Sequence, residues 1–80
     1  MGRGDPFALI LYIMTLRLNG EIRRFETAVS TVADLLHALG LGGKPVVVEL
    51  DRDAVFAKDY AVTPVNDGAS VEIVMIAAGG

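Results

Sequence analysis

Residues 14–25 read MTLRLNGEIRRF, which is the pattern of two strands joined by a tight turn. Leu16 and Leu18 alternate with polar neighbours, which indicates a strand that buries one face. Asn19-Gly20 follows, and this pair is the strongest short-range hairpin signal because both residues tolerate a positive φ. Ile22 to Phe25 then return as the second strand. We therefore predict a β-hairpin, and the neighbouring segments can be placed relative to it.

A single helix is predicted downstream of this hairpin. Thr31 has the character of an N-cap, and Asp34, three residues on, completes a capping-box-like pair with it. Gly40 is placed to end the helix, since glycine readily adopts the left-handed conformation found after helix C-termini. The apolar residues between these signals have helical spacing and predict one buried face: Val32, Leu35, Leu36 and Leu39.

The remaining strands are predicted at Val46 to Leu50, Ala54 to Phe56 and Val71 to Ile76. A turn is predicted at Asp51 to Asp53, and another at Asn66-Asp67-Gly68. The element order is therefore ββαβ(β)β, and one helix must cover one face of a mixed sheet. With the first and last strands parallel at the centre, this is an α+β fold of the β-grasp (ubiquitin-like) type. We expect a mixed sheet of four to five strands packed on one helix.

Composition limits the classes of function. The 80 residues make one small domain, and their formal net charge of −3 argues against a nucleic-acid partner, because phosphate binding needs a basic face. The absence of cysteine excludes disulfides, cysteine-based metal sites and a thiol nucleophile on this chain. The one histidine, His37, lies off the apolar helix face and is interpreted as solvated. The carboxylates at 51, 53 and 59 are too sparse for a hard-cation loop, so we expect no metal site.

Residues 1–13 look appended to the domain that follows. They combine Gly, Arg, Gly, Asp and Pro with an unpatterned apolar run, whereas Met14 has the character of a natural start. The run is far shorter than the ~20 residues that span a bilayer, and no small-residue cleavage site follows it. We expect an N-terminal extension that folding does not need, and a cytoplasmic protein with no membrane partner. The alternative is that Leu9 to Ile13 lengthen the first strand.

The chain ends in Gly79-Gly80, preceded by Ala77 and Ala78. Glycine has no side chain, so a Gly-Gly tail can enter a narrow channel and leaves its carboxylate open to attack. The last strand leads directly into this tail, and its alternation places Val71 and Ile73 toward the core. Val74 and Ile76 would then point away from the helix, where we expect them to contact a partner protein.

From Met14 to Gly80 the chain resembles the ThiS family, the sulfur carriers of thiamin biosynthesis. The matching stretches are MTLRLNG at 14–20, TVADLL at 31–36, VVVE at 46–49, Asp67-Gly68, VEIV at 71–74 and the final Gly-Gly. Each motif is short, and it is their order and spacing, ending on Gly-Gly, that carry the resemblance.

The resemblance implies a function without catalytic residues on this chain. An E1-like, ThiF-like partner enzyme would adenylate the carboxylate of Gly80 with ATP, and the acyl-adenylate would then receive sulfur and become a thiocarboxylate. A ThiG-like thiazole synthase would accept that sulfur. The chain would then be a protein co-substrate with no bound cofactor, the ATP being used by the partner enzyme.

Three other functions stay open at the level of the sequence. The small subunit of molybdopterin synthase shares the fold, the tail and the activation chemistry, but tends to carry a proline just before its Gly-Gly, where this chain has VMIAA. A ubiquitin-like modifier would be joined to lysines through Gly80. A β-grasp interaction module with an inert tail would undergo no ATP-dependent change there.

Overall fold

The computed structural model describes residues 13–76. Within them the chain forms, in order, β1 Met14–Leu18, β2 Glu21–Phe25, α1 Val32–Ala38, β3 Val46–Leu50, β4 Asp53–Val55, a 3₁₀ turn at Ala57–Asp59, and β5 Ser70–Met75. The strands make one five-stranded sheet in the order β2-β1-β5-β3-β4. β1 and β5 are parallel neighbours, and the other pairs are antiparallel. The predicted α+β β-grasp fold is confirmed.

The β1–β2 hairpin forms as its sequence predicts. Leu18 pairs with Glu21, so Asn19 and Gly20 make a two-residue loop. Their φ angles are 50° and 85°, the left-handed values that this loop requires. β1 begins at Met14, whose side chain is only 2% exposed, whereas Ile13 is 45% exposed and lies outside the strand. Residues 1–12 lie outside the described part of the chain.

Local hydrogen bonds define both ends of α1. The Thr31 hydroxyl accepts from the backbone N–H of Asp34 at 3.2 Å, and the Asp34 carboxylate accepts from the backbone N–H of Thr31 at 3.2 Å. The predicted capping box is therefore confirmed. At the other end, Gly40 has a φ of 75°, and the N–H groups of Gly40 and Leu41 donate to the carbonyls of His37 and Leu36 at 3.0 and 2.7 Å. This is a Schellman ending, which satisfies carbonyls that the helix leaves free.

The core lies between α1 and one face of the sheet. Among the described residues no polar or charged residue is buried. The helix contributes Val32, Leu35 and Leu36, as predicted. Leu39, predicted to be buried, is only partly buried, because α1 ends at Ala38 and Leu39 is the C-cap, where the chain turns away. The sheet and the loops contribute the rest: Met14, Leu16, Leu18, Phe25, Val29, Val46, Val48, Val65, Ala69, Val71 and Ile73.

Three strands begin one residue earlier than predicted, and the first of them is β2, which is Glu21–Phe25 instead of 22–25. β4 is Asp53–Val55 instead of 54–56, because Leu50 pairs with Asp53 and leaves a two-residue loop. Both loop residues, Asp51 and Arg52, adopt positive φ angles of 49° and 76° without being glycine. Likewise β5 is Ser70–Met75 instead of 71–76.

Candidate functional site

The last strand carries the chain toward its C-terminal residues. β5 ends at Met75, and the backbone N–H of Ile76 still donates to the carbonyl of Pro45 at 3.0 Å. The last described residue is thus held beside the sheet. Ala77, Ala78, Gly79 and Gly80, the predicted reactive tail, lie outside the described residues. Four residues reach at most about 14 Å, so any chemistry at Gly80 must take place within that distance of Ile76.

The sheet surface beside this exit is apolar. Val71 and Ile73 are 0% and 8% exposed and face α1, whereas Val74 and Ile76 are 60% and 48% exposed on the opposite face. Their outward orientation agrees with the sequence analysis, while their contact with a partner stays a prediction. Val47 of β3 lies directly opposite Val74 and is 49% exposed. Val47, Val74 and Ile76 together are called the outer strip.

Val47 is a member of the outer strip that sequence reasoning missed. Its neighbours Val46 and Val48 are buried, so the alternation along β3 turns Val47 outward. The run of three valines hides this alternation in the sequence. Only the β3–β5 register, which the sequence does not state, brings Val47 to Val74.

Two glutamates adjoin the outer strip. Glu49 of β3 and Glu72 of β5 are direct cross-strand partners, and both are exposed on the face that bears Val47 and Val74. Neither was singled out from the sequence. Ala54 of β4 lies on the other side of Glu49. The outer strip is therefore continued, away from the tail, by a pair of carboxylates.

Asn19 fixes β5 in place next to the hairpin. Its side-chain nitrogen donates to the carbonyl of Ile73 at 3.2 Å, and its side-chain oxygen accepts from the N–H of Ile73 at 2.8 Å. Its own backbone N–H donates to the carbonyl of Val71 at 2.9 Å. The amide therefore continues the β1–β5 ladder after the β1 backbone has turned away, and supports the strand that leads into the tail.

An open groove lies on the helix side of the same strand. Its apolar wall consists of Leu18, Leu39, Leu41, Ile73 and Met75, with Arg23 at its edge. The groove exists because α1 has seven residues and is roughly 10 Å long, whereas the six-residue β5 extends for roughly 20 Å. Met75 points to the helix side, yet it is 52% exposed.

The other residues considered from the sequence, a histidine and three aspartates, do not form a catalytic or metal site within residues 13–76. His37 is exposed, as its position off the apolar helix face predicts. Asp51, Asp53 and Asp59 line one shallow pocket beside β4, but nowhere in residues 13–76 do three or more metal-ligating side chains come together. In the same part of the chain no helix has the length and hydropathy that a membrane crossing requires.

These features define a ubiquitin-like domain: a β-grasp fold whose last strand carries an exposed apolar surface and precedes, in sequence, a Gly-Gly pair. The model of the ThiS family matches residues 16–80. The chain therefore belongs to the ThiS family, the small sulfur carriers of thiamin biosynthesis.

Similarity to solved structures agrees with this assignment. The crystal structure of the thiamine biosynthesis protein ThiS from Geobacter metallireducens is 33% identical, with a TM-score of 0.71, over 84% of this chain and 100% of that chain. An NMR solution structure of a thiamine biosynthesis protein from the same organism has a TM-score of 0.70 and 33% identity, over 84% of this chain and 88% of that chain.

A curated relative is much longer. A thiazole synthase from Paramagnetospirillum magneticum is 42% identical over 67 residues, which are 84% of this chain and 20% of that protein. The chain thus spans about a fifth of the length of the curated relative that it matches.

Proposed function

We propose that this chain carries sulfur on the carboxylate of Gly80 for thiazole formation. An E1-like, ThiF-like enzyme joins that carboxylate to the α-phosphate of ATP and releases pyrophosphate. A sulfur nucleophile at the oxidation level of sulfide then displaces AMP and leaves a thiocarboxylate. A ThiG-like thiazole synthase accepts the sulfur. As the bond between the acyl carbon and sulfur breaks, that carbon takes an oxygen from the acceptor or from water, and the carrier returns to its carboxylate form. We place this cycle in the cytoplasm, where ATP is available.

The observation that carries the proposal is the family match, which runs through Gly79-Gly80. The chemistry is consistent with these residues. A carboxylate is a poor electrophile because it is anionic and has no good leaving group, and adenylation removes both obstacles. The chain has no cysteine, so among its residues the terminal carboxyl group is the one suited to carry sulfur.

A ThiG-like partner is supported by the curated relative. That protein is named a thiazole synthase, and part of its sequence resembles this carrier. A segment similar to this chain therefore lies within a protein named a thiazole synthase. We propose that this chain delivers its sulfur to an enzyme of the same class.

Intact mass spectrometry of the C-terminal peptide tests the proposal. The chain is incubated with the cognate E1-like enzyme, ATP and a sulfide source, and we expect one oxygen of Gly80 to be replaced by sulfur. Adducts of higher mass on lysines of other proteins would instead identify a ubiquitin-like modifier. An unchanged terminus with active enzyme would support the inert interaction module and contradict the carrier.

The outer strip is proposed as the surface that docks the adenylating enzyme. Ile76 is 48% exposed and immediately precedes the tail, so Ile76→Asp places a charge in the docked interface without entering the core. We expect binding to weaken about fivefold or more, since loss of a central apolar contact is worth more than ~1 kcal/mol. Titration calorimetry with the cognate enzyme measures the change.

A matched control is Val62→Asp, the same change at a residue that is 73% exposed outside the outer strip. We expect this variant to bind as the parent does. Equal affinities of all three proteins would remove Ile76 from the interface. Unfolding of the Ile76→Asp variant would mean that Ile76 supports the core, contrary to its exposure.

A further inference from the structure

Within residues 13–76, the second half of β5 has a strand neighbour on one side only. β1 pairs with β5 as far as Leu18 and Val71 and then turns away through Asn19-Gly20. On the other side, β3 continues beside β5 as far as Met75. A strand end that is hydrogen-bonded along one side opens locally more readily than one that is held on both sides. The part of β5 that leads to the tail therefore needs support where β1 has ended.

The Asn19 side chain supplies that support. Its amide oxygen accepts from the N–H of Ile73 at 2.8 Å, and its amide nitrogen donates to the carbonyl of Ile73 at 3.2 Å. On the β3 side, the N–H of Ile76 donates to the carbonyl of Pro45 at 3.0 Å. The end of β5 is thus held from both sides, and the contact on the β1 side is made by a side chain that a substitution can remove.

We propose that Asn19 is a positioning residue for the adenylation of Gly80. This inference rests on the proposed function. The amide does not touch the reacting atoms, but it fixes the point from which the four-residue tail, at most about 14 Å long, reaches the α-phosphate of ATP. A displacement of about 1 Å at the reacting atoms can lower a rate roughly 100-fold. Without the amide, β5 opens from Ile73 onward, and the docked carrier presents its carboxylate in the productive position less often.

This role affects kcat more than KM. The proposed docking surface is the outer strip, whose members Val47 and Val74 remain paired through the β3–β5 ladder when the Asn19 amide is removed. Docking is therefore largely kept, while the alignment of the carboxylate is lost. A change that acts on alignment alone lowers kcat and leaves KM nearly unchanged.

The test compares Asn19→Gly with Val65→Ala, a control that lowers stability at a distant position. Glycine keeps the positive φ that the hairpin loop requires, so the first substitution removes the amide and retains the turn. Val65 is 4% exposed, and its N–H donates to the carbonyl of Ser30 at 2.9 Å, just before α1 begins. The end of β5 lies beside the other end of the helix, next to Leu39 and Leu41. Both variants are assayed under conditions in which urea unfolding shows them to be fully folded.

Two quantities are measured on each carrier. ATP–pyrophosphate exchange with the cognate E1-like enzyme, over a range of carrier concentrations, gives kcat and KM. Amide hydrogen exchange, followed by NMR, reports the opening of the Ile76 N–H, whose acceptor Pro45 is unaltered in both variants.

For Asn19→Gly we expect kcat to fall about tenfold while KM changes by less than about threefold. We also expect the Ile76 N–H to exchange about fivefold faster or more, because the end of β5 opens more often. For Val65→Ala we expect kcat, KM and the exchange of this N–H to stay within about twofold of the unaltered chain.

Asn19→Asp is the milder variant. Aspartate also suits the first position of this loop, and its carboxylate still accepts from the Ile73 N–H but cannot donate to the Ile73 carbonyl. If Asn19→Gly does not fold, the same comparison is made with Asn19→Asp, for which we expect kcat to fall about threefold with KM unchanged.

Equal kcat values for the Asn19 variant and the unaltered chain, or equal losses in the Asn19 variant and Val65→Ala, would overturn the inference, because the amide would then serve stability alone. A higher KM with an unchanged kcat would also overturn it, because Asn19 would then act on docking. In each of these outcomes the unaltered chain is adenylated and the proposed function stands. Failure of the enzyme to adenylate the unaltered chain would remove the proposed function and this inference with it.

Discussion

Asn19 shows how one residue can serve both a turn and a sheet. Its φ of 50° permits the two-residue hairpin loop, while its side-chain amide exchanges two hydrogen bonds with the backbone of Ile73. A turn residue without an amide would leave the Ile73 N–H and C=O groups without these partners. Asparagine is therefore suited to this position for two separate reasons, of which the sequence indicates only the first.

We predict that Asn19→Ala destabilises the fold by about 1–3 kcal/mol, because backbone groups of a part-buried strand lose their partners. Asn19→Gly keeps the freedom to adopt positive φ, so a similar loss in that variant would assign the effect to the amide. Urea unfolding measures both. Asn66→Ala, at an exposed turn, is the control and should change stability by less than about 0.5 kcal/mol. Equal losses for Asn19→Ala and Asn66→Ala would contradict the role given to the Asn19 amide.

At the scale of elements, α1 depends on packing for its stability. A helix of seven residues is too short to persist alone, so its caps and its buried face must hold it. Leu35 and Leu36 are 0% and 4% exposed against the sheet. The capping box and the Schellman ending fix its limits, and its position leaves the outer face of the sheet uncovered.

Leu36→Ala should therefore cost about 2–5 kcal/mol, through lost transfer free energy and the cavity left behind. Leu39→Ala removes the same atoms from a half-buried position and should cost clearly less. Thermal or urea unfolding of the pair provides the comparison. A loss below about 0.5 kcal/mol at Leu36 would show that the helix does not pack in this way.

The elements that were predicted correctly have local signals. Each of these signals acts on backbone groups within a few residues, so its effect can be predicted from the sequence alone. They are Thr31 with Asp34, Asn19-Gly20 and Gly40. The fold class follows from the order of these elements, because one helix must cover one face of a mixed sheet.

The features that were missed depend on register. The pairing of Val47 with Val74, and of Glu49 with Glu72, joins strands far apart in sequence. The β3–β4 loop was predicted one residue too long, at 51–53, because Arg52 adopts a φ of 76°, where a sequence signal would be glycine or asparagine. The members of the candidate site near the end of β5, Val74 and Ile76, were thus predictable from the sequence. Val47, on the neighbouring strand β3, was not.

At the scale of the whole molecule, the two faces of the sheet differ: one stabilises the fold, and the other is the proposed binding surface. One sheet face is covered by α1 and forms the core, and the other presents the outer strip and the glutamate pair. The tail follows β5 directly, so docking through the sheet would bring Gly80 within reach of a partner's active site. Because β1 begins at Met14, we expect a chain that starts at Met14 to retain this arrangement, and the dispensability of residues 1–13 stays a prediction.

The central claim is that chemistry occurs at the carboxylate of Gly80. Adenylation requires the attacking oxygen to lie about 3–3.5 Å from the α-phosphate of ATP, in the correct orientation. One residue added after Gly80 would shift the carboxylate by up to ~3.6 Å, and deletion of Gly80 would withdraw it by a similar distance. Both changes leave the docking surface intact.

The most direct measurement is ATP–pyrophosphate exchange by the cognate E1-like enzyme with three carriers: the unaltered chain, the chain with one alanine added after Gly80, and the chain without Gly80. We expect exchange with the unaltered chain alone. The two altered chains should keep their circular dichroism spectra and should inhibit exchange competitively, since they still dock. Undiminished exchange with the extended chain would contradict the account, because the reactive group would then not be the carboxylate of Gly80.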